Sequence, residues 1–310
     1  MNAIEIRDLS KSYGSITALD NLSLSVESNT VHGFLGPNGA GKTTTIKILM
    51  GLLRPNGGSV AILGRDALKG DPTVRSKVGY MPELPRFPSH LTGEELLDIY
   101  GRMYGLSQQR RREQIPELLE KVGLEARGKD KIGGYSKGMQ QRFGIAQALL
   151  GDPQLLILDE PSLGLDPGGM VEVREMIRTI AQNDATVFMS SHLLHEAQQV
   201  CSRITIINHG RSLVTGTLEE IASQLQEPPT IRVEVESPTD KVTKAVRALS
   251  FAKDVSVADS RLDVTVDTQE DVRGEISRAV AKAGGTVLST EVLGRSLEDT
   301  YLKLLRRSGR

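Results

Sequence analysis

A glycine-rich segment, Gly36-Pro-Asn-Gly-Ala-Gly-Lys-Thr43, places the tightest constraint on how this chain can fold. It fits the pattern G-x-x-x-x-G-K-[ST], in which glycines let the backbone curl until successive N–H groups point inward. The apolar residues before it predict a buried strand, and those from Lys42 onward predict a helix whose positive dipole end faces the loop. The segment therefore predicts a polyphosphate cradle on an α/β scaffold; the simpler interpretation is a glycine-rich connecting loop.

Different side chains of this loop are expected to contact different parts of a bound nucleotide. Lys42 should reach the β and γ phosphates, Thr43 should offer its hydroxyl to Mg²⁺, and Thr44 is placed for another phosphate contact. The predicted nucleotide-binding set also includes the rest of the loop, namely Gly36, Pro37, Asn38, Gly39, Ala40 and Gly41. A cradle of this kind predicts nucleotide binding but leaves the reaction open.

Two acidic residues end the apolar run Leu155-Leu-Ile-Leu-Asp-Glu160. Such a run predicts a strand covered on both faces, and open α/β sheets bind ligands at the carboxyl ends of their strands. We therefore expect Asp159 to serve the Mg²⁺ shell and Glu160 to serve the attacking water. Taken alone, the same run also fits a surface turn that follows a core strand.

Composition excludes several classes of function. The chain has 310 residues with 38 Lys+Arg against 39 Asp+Glu, so no bulk charge favours nucleic acid or an anionic surface. The single Cys201 excludes an intramolecular disulfide and a multi-cysteine metal site, which fits a reducing compartment. Neither a signal peptide nor an apolar run of membrane-spanning length is recognisable. We therefore expect any membrane span to be supplied by another chain.

Hydrophobic patterning predicts the order of elements in a first domain, residues 1–226. Alternation at 3–7 and 22–27 predicts antiparallel strands, and the apolar runs at 31–35, 155–158 and 186–189 predict a parallel core. Residues 84–150 predict a helical insertion that opens with the capping box Thr92-Gly-Glu-Glu95. The first helix should carry an apolar face made of Leu96, Leu97, Ile99, Tyr100, Met103 and Tyr104. A second helical segment should bury Ile115, Leu118, Leu119 and Val122.

A second, smaller domain is predicted after a linker. The segment Glu227-Pro-Pro-Thr230 fits neither a helix interior nor a central strand, so we assign 227–230 as linker and 231–310 as an accessory domain. Its pattern predicts strand, helix, strand, strand, helix, strand, which is the order of a ferredoxin-like βαββαβ module. A last amphipathic helix is predicted from Leu297 to Arg306, and no catalytic cluster is visible in this domain.

Four further motifs flank the two already described. They are Tyr13 in Lys-Ser-Tyr-Gly14, Tyr135-Ser-Lys-Gly-Met-Gln-Gln141, Ser162-Leu-Gly-Leu-Asp166 and Ser190-Ser-His192. In this order the set resembles the ATP-binding cassette (ABC) ATPases, the motor subunits of ABC transporters, over residues 2 to 222. The resemblance implies a P-loop NTPase core of the ABC type that uses ATP and Mg²⁺.

The resemblance also assigns roles to residues that would otherwise pass unremarked. It implies that Tyr13 stacks on adenine, that His192 senses the γ phosphate, and that Ser136 and Gly138 reach the γ phosphate of a partner cassette. Independently, Ser136 is suited to cap a helix whose N-terminal amides would face an anion, and Gly138 would permit close approach. Without the resemblance, this stretch is equally well read as an ordinary capped helix, and His192 as a surface histidine.

Three positions depart from the commonest family pattern. The stretch Tyr135–Gln141 resembles the family signature, but Lys137 and Met139 stand where the usual signature has Gly and Gln, and Glu83 stands where the family often has Gln. Glu83 retains an oxygen for Mg²⁺ or the lytic water, although its charge leaves that assignment open. All three variants resemble the branch that drives exporters with separately encoded membrane subunits.

The implied function is therefore an ATP-hydrolysing subunit that powers a separate permease at the cytoplasmic face of the membrane. Two protomers would pair head to tail around two ATP molecules, with either an identical or a nonidentical partner, and the permease would contact the region from Glu83 to Tyr104. Two alternatives stay open: a soluble ABC ATPase that remodels a ribosome or nucleic-acid complex, and a nucleotide-gated module without turnover. Near-neutral charge disfavours the former, and no nucleic acid is expected as a partner. The transported substrate cannot be read from this chain.

Overall fold

The computed structural model describes residues 2–182, 185–224, 230–236, 238–268, 270–293, 301 and 305. Contacts divide the chain into two compact units, Met1–Ile221 with Tyr301–Arg310, and Ala222–Thr300. The domain boundaries given above, at 226 and 231, stay a prediction, because most of the 227–230 linker lies outside the described residues.

The first unit begins with antiparallel strands and continues as alternating strands and helices. Its strands are β1 (Asn2–Tyr13), β2 (Ile16–Glu27), β3 (Val31–Leu35), β4 (Gly57–Ile62), β5 (Arg65–Asp66), β6 (Val78–Met81), β7 (Leu155–Asp159), β8 (Thr186–Ser191), β9 (Arg203–Asn208) and β10 (Arg211–Gly216). Its helices are α1 (Lys42–Leu49), α2 (Pro72–Arg75), α3 (Gly93–Met103), α4 (Gln108–Lys121), α5 (Lys137–Leu149), α6 (Pro167–Ala181) and α7 (Leu194–Val200). The helix α8 (Leu218–Gln224) crosses the boundary between the units.

A six-stranded sheet in the order β10-β9-β3-β8-β7-β6 forms the centre of the first unit. All neighbours in it are parallel except β10, which pairs antiparallel with β9. Every residue of β3, β7 and β8 is buried, as their apolar sequences predict for strands covered on both faces. Because parallel strands end at one edge, the loop after β3 and the acids after β7 meet there.

A second, antiparallel sheet in the order β2-β1-β4-β5 covers helix α1 from the other side. Residues of both sheets and of the helix share one hydrophobic core, which includes Ile4, Leu22, Phe34, Ile46 and Phe188. The helix that follows the phosphate loop is thus fixed by packing along its length, so its N-terminus is held in one place.

Helices α3, α4 and α5 make up the predicted helical region, and their caps follow the sequence. In the box that opens α3, Thr92 N–H donates to Glu95 Oε2 at 2.9 Å and Glu95 N–H donates to Thr92 Oγ1 at 3.2 Å. The side chains of Leu96 and Leu97 are buried. Within the part of the chain that the structure describes, no helix is both long and apolar enough to cross a membrane.

The apolar face predicted for α3 is only partly a core face. Ile99, Met103 and Tyr104 are 40%, 74% and 51% exposed. The four apolar residues predicted to be buried in and after α4 are all buried: Ile115, Leu118, Leu119 and Val122. The first helix therefore leaves apolar surface uncovered within its own chain.

The second unit is a four-stranded antiparallel sheet with two helices. Its elements are β11 (Thr230–Val235), α9 (Asp240–Arg247), β12 (Ala252–Ala258), β13 (Arg261–Val266), α10 (Arg273–Lys282) and β14 (Val287–Leu293), with strand order β12-β13-β11-β14. Alternate strand residues such as Val233 and Val264 pack against Val246, Ile276 and Val280 of the helices. The predicted order of elements is observed, and the name ferredoxin-like rests on that order alone. The predicted helix from Leu297 to Arg306 lies almost wholly outside the described residues.

Candidate nucleotide-binding site

The glycine-rich segment forms the turn between β3 and α1, as its spacing predicts. A Cβ atom at Gly36 would collide with the Ile207 carbonyl oxygen, so the backbone there lies directly against the neighbouring strand. Gly41 caps α1 with φ of 110°, and a Cβ there would lie 2.7 Å from the Ala18 carbonyl oxygen. Both positions therefore require glycine on steric grounds.

Lys42 is folded back over this loop and is only 6% exposed. Its Nζ donates to the carbonyl oxygens of Gly36 at 2.7 Å and Pro37 at 3.3 Å. The same ammonium lies 3.2 Å from Glu160 Oε1, so one cation joins the phosphate loop to the acidic end of β7. A buried ammonium needs such partners, and a phosphate arriving in the loop offers a stronger one.

Glu160 is held from three sides. Its backbone N–H donates to Ser190 Oγ at 2.9 Å, and its carbonyl accepts from Gln141 Nε2 at 3.4 Å. His192 Nδ1 lies 2.8 Å from Glu160 Oε2. Because β7 and β8 are parallel neighbours, the predicted acid and the predicted histidine end side by side. The structure thus brings Lys42, Glu160 and His192 into one bonded chain.

Asp159 is 1% exposed and keeps one oxygen without a hydrogen-bond partner among the described residues. Its Oδ1 accepts from Ser190 Oγ at 2.6 Å, while Oδ2 is the unpartnered atom. Burial raises the pKa of Asp159, the charges of Glu83 and Glu160 raise it further, and the Ser190 hydroxyl bond and the nearby Thr43 hydroxyl lower it. A buried carboxylate with an unused oxygen, next to a hydroxyl and a second carboxylate, suits a hard cation.

Few protein oxygen atoms in the described part of the chain are available to bind a cation beside Asp159. Among the described residues there is no group of three His, Cys, Asp or Glu side chains arranged for a metal ion. Mg²⁺ that is bound through nucleotide phosphates usually takes only one or two protein carboxylates, so the residues present fit that kind of site. Thr43, Asp159 and Glu83 are the residues available for it.

A cleft of about 460 Å³ is lined by most of the predicted phosphate-site residues. Its lining includes Lys42, Thr43, Thr44, Glu83 and Glu160 together with the loop residues Pro37, Asn38, Gly39 and Gly41. Ile16, Thr17 and Ala18 at the start of β2 line it as well, and the sequence motifs gave no sign of them. The phosphate loop, Glu83 and Glu160 therefore face one space, whereas Asp159 is not among its lining residues.

Tyr13 is not among the residues that line this cleft. It ends β1 at 48% exposure, with Lys11 Nζ 5.3 Å from its ring centroid. Its ring is accessible to a ligand, three residues before Ile16 at the cleft wall. Stacking on adenine stays a prediction.

Ser136 and Gly138 lie at the N-terminus of α5 and are also absent from the lining of the cleft. Ser136 Oγ accepts from Met139 N–H at 3.2 Å, which is the predicted cap. The nearest atom to a Cβ built on Gly138 is Leu165 Cδ2 at 3.8 Å, so this chain has room for a side chain there. No described residue of the protomer requires glycine at this position.

Glu196 is a further buried acid that the sequence motifs did not reveal. It is 8% exposed, its Oε2 accepts from Ser191 Oγ at 3.4 Å, and burial raises its pKa. Ser191 Oγ also accepts from Leu193 N–H at 3.0 Å, so these groups shape the turn that carries His192. The spacing of four residues between His192 and Glu196 was the available signal, but it resembles no metal motif.

Comparison with known proteins identifies the family. A family model described as ABC transporter matches residues 19–163. The bacitracin transport ATP-binding protein BcrA of Bacillus licheniformis is 36% identical over 97% of this chain and 97% of its own length. This chain belongs to the ABC transporter ATP-binding proteins. The uncharacterized ABC transporter ATP-binding protein YxlF of Bacillus subtilis (strain 168) is 39% identical to it, over 97% of this chain and 99% of that one.

The fold of this ABC transporter ATP-binding protein agrees with solved cassettes. The structure described as the ATP binding subunit of an ABC transporter superposes with a TM-score of 0.66 at 36% identity, covering 72% of this chain and 92% of that one. The predicted ABC-type P-loop core is confirmed, and the chain is an ATP-binding ATPase subunit of a transporter. The alternative of a soluble ATPase that remodels ribosomes or nucleic acid is not favoured.

Proposed function

We propose that this ATP-binding protein drives an exporter by closing as a head-to-tail dimer around two ATP molecules. The observation that carries the proposal is the bonded chain of Lys42, Glu160 and His192 at the carboxyl ends of β3, β7 and β8. The position of Ser136 and Gly138 away from their own cleft supports the dimer, because they are then available to the γ phosphate bound by a second protomer.

The buried ion pair suggests how binding prepares the site for hydrolysis. A γ phosphate entering the loop competes with Glu160 for the ammonium of Lys42, because both are anions and the phosphate also gains the loop amides. Once released from Lys42, the Glu160 carboxylate is still held by His192 and lines the cleft. It can then orient or deprotonate the attacking water, while the lysine and the amides stabilise the developing charge.

Thr43, Asp159 and Glu83 would hold Mg²⁺ with the phosphates. When bound, the cation neutralises phosphate charge and fixes the geometry of the phosphate chain. The unpartnered oxygen of buried Asp159 supports this assignment. Glu83 lies near enough for its charge to raise the pKa of Asp159, which is the effect expected of two acids that await a shared cation.

A separately encoded permease is the proposed partner, with the ATP-binding protein held peripherally at the cytoplasmic face of the membrane. Exposed apolar side chains in the region from Glu83 to Tyr104 support a protein contact: Leu84, Ile99, Met103 and Tyr104. The relative BcrA is named for bacitracin transport, which supports a transport role, and the exporter-type variants at Glu83, Lys137 and Met139 support export.

The test is an affinity purification of the Glu160→Gln protein, held in ATP, from gently solubilised membranes. We expect a polytopic membrane protein to co-purify. The Lys42→Ala protein, which should bind ATP poorly, is the matched control and should recover less of it if ATP strengthens the assembly. Recovery of ribosomal or nucleic-acid machinery with no membrane protein would keep the ATPase chemistry and contradict the transport function.

A further inference from the structure

Gln141 is a buried polar residue in helix α5, the helix that begins with the signature. Its side chain is 2% exposed, and it shares a buried face of the helix with Gly144, Ile145 and Ala148. An amide that leaves water without gaining a hydrogen bond costs free energy, so a helix position of this kind usually holds an apolar residue. A glutamine there points to a hydrogen-bond partner in the interior of the protein.

The partner of Gln141 is the backbone of the acid that ends β7. Gln141 Nε2 donates to the Glu160 carbonyl oxygen at 3.4 Å, and Leu163 N–H donates to the same oxygen at 3.0 Å. The bond from Leu163 closes a turn over residues 160–163, which we name the acid-bearing turn. Gln141 therefore attaches α5 to the first residue of this turn.

The acid-bearing turn begins in an unfavourable conformation. Glu160 has φ of 51° and is followed by Pro161, whereas the residue before a proline usually has an extended backbone with negative φ. Such a conformation persists only where surrounding groups hold it. The Glu160 N–H donates to Ser190 Oγ of the neighbouring strand, and Leu163 belongs to the turn itself. Gln141 adds support from a separate helix.

A second contact joins α5 to the residue that follows this turn. Gly164 has φ of 67°, and a Cβ atom built on it would collide with Lys137 Nζ. Lys137 is the first residue of α5 and Gln141 lies one turn further along the helix. The segment from Glu160 to Gly164 therefore lies against the first two turns of α5, so its shape depends on that helix.

We propose that Gln141 is a positioning residue for ATP hydrolysis, and that its bond to the Glu160 carbonyl keeps the Glu160 carboxylate beside Lys42 and His192. The inference rests on the proposed function, in which Glu160 acts on the attacking water. Gln141 does not line the cleft, so its effect passes through the backbone of Glu160. Without this bond the turn can relax towards an ordinary φ and carry the carboxylate away from its productive position.

Gln141→Met tests the proposal in the full-length protein. Methionine has a similar length but no donor, and the Glu160 carbonyl keeps its bond from Leu163, so that oxygen is not left without a partner and the protein should fold. We expect kcat for ATP hydrolysis to fall about three- to tenfold, the change that corresponds to one lost hydrogen bond. The affinity for ATP should not fall, because the phosphate loop is unchanged.

Gln147→Met is the matched control on the same helix. It removes an amide that donates to Tyr104 Oη at 3.5 Å instead of to the acid-bearing turn. Its kcat and its affinity for ATP should equal those of the unmodified protein. Equal kcat values for the Gln141→Met and Gln147→Met proteins would overturn the proposal.

A double-mutant comparison separates positioning from general damage to the fold. The Glu160→Gln protein has no carboxylate to position, so adding Gln141→Met should change its single-turnover rate by less than about twofold. The same fold loss in the Glu160→Gln protein and in the unmodified protein would show that Gln141 only supports the fold, and the proposal would fail.

The same set of proteins separates this proposal from the proposed function. Slow turnover by the Glu160→Gln protein together with normal turnover by the Gln141→Met protein would leave the role of Glu160 in place and overturn that of Gln141 alone. Normal turnover by the Glu160→Gln protein would remove both roles.

Hydrogen exchange without nucleotide examines the acid-bearing turn directly. Gln141→Met should speed exchange of the Leu163 amide about three- to tenfold, because the turn loses one of its supports. Gln147→Met should leave this exchange rate unchanged. Equal exchange rates in the two variants would show that Gln141 does not hold the turn, which contradicts the proposal.

Discussion

Glu160 carries the clearest sign of a functional constraint at the scale of a single residue. Its φ of 51° lies in the left-handed region, which costs a residue other than glycine about 1–3 kcal/mol. The conformation turns the side chain from the end of β7 towards Lys42 and His192, where both of its oxygens are bonded. Its backbone bonds to Ser190 and Gln141 hold the residue in this shape.

Replacing Glu160 by Gln should separate ATP binding from hydrolysis. The amide keeps the shape but is a poor base, so we expect turnover to fall about 10²- to 10⁴-fold, the usual contribution of a general base. Nucleotide affinity should stay the same or rise, because Lys42 no longer has a competing carboxylate. Phosphate release and nucleotide binding measure the two effects, with the exposed Glu172→Gln as control. Normal turnover with bound ATP would show that the catalytic assignment is wrong.

Gly36 allows a sharper test of the phosphate loop than its lysine does. Ala at this position places a methyl group against the Ile207 carbonyl oxygen, so the loop must shift away from β9. We expect ATP binding to weaken at least about tenfold and the free energy of unfolding to fall by about 1–3 kcal/mol. Gly57→Ala in β4 meets no atom within 4 Å and should leave nucleotide binding intact. Equal nucleotide affinity of the two variants would contradict the steric argument.

At the scale of elements, the sequence predicted the parts whose physical cause is local. The apolar runs of β3, β7 and β8 and the caps at Thr92 and Ser136 needed only neighbouring residues, and the structure has all of them. Burial of the apolar face of α3 was harder to predict, because helical periodicity identifies an apolar stripe but does not show whether another part of the same chain covers it. Ile16 in the cleft wall and Leu305 at the phosphate loop were missed, since contacts between distant segments leave no local pattern.

The uncovered part of α3 leads to a prediction about the permease. Met103→Glu should reduce permease recovery and any permease-stimulated ATPase activity, because a charge would be buried at the contact. The free energy of unfolding should change by no more than about 0.5 kcal/mol, since Met103 is 74% exposed. Val171→Glu, at an exposed apolar position of α6, is the control. Equal permease recovery with both variants would place the contact elsewhere.

At the scale of the whole molecule, the proposed dimer builds each nucleotide site from parts of two protomers. Lys42, Asp159 and Glu160 line or adjoin the cleft, whereas Gly138 lies outside it with open space where a side chain would extend. Among the described residues nothing crowds a side chain at Gly138, and the proposed approach of a second molecule would use that space. The proposed head-to-tail pairing under twofold symmetry would complete both sites at once, because each protomer would give its loop to one site and its signature to the other.

This arrangement predicts that two inactive variants restore activity when mixed. Gly138→Asp should fold and bind ATP, because an acid in the first turn of α5 has room and favours the helix dipole, but it should repel the partner's γ phosphate. The Lys42→Ala protein should no longer bind ATP well in its own phosphate loop, but its signature stays intact. A mixed dimer then has one intact site, formed by the loop of the Gly138→Asp protomer and the signature of the Lys42→Ala protomer.

If at saturating ATP the two variants pair with each other as readily as with themselves, about half of the dimers are mixed, and ATPase activity in an equimolar mixture should reach about a quarter of the unmodified value when the sites work independently. Weaker ATP binding by Lys42→Ala would lower that ceiling. Lys42→Ala mixed with Glu160→Gln is the control and should stay inactive, since both changes fall on the loop side and every composite site lacks one of them. Recovery in the first mixture and not in the second requires the loop and the signature of one site to come from different molecules. Failure of the first mixture, with dimers detected by sedimentation, would mean that each protomer completes its own site.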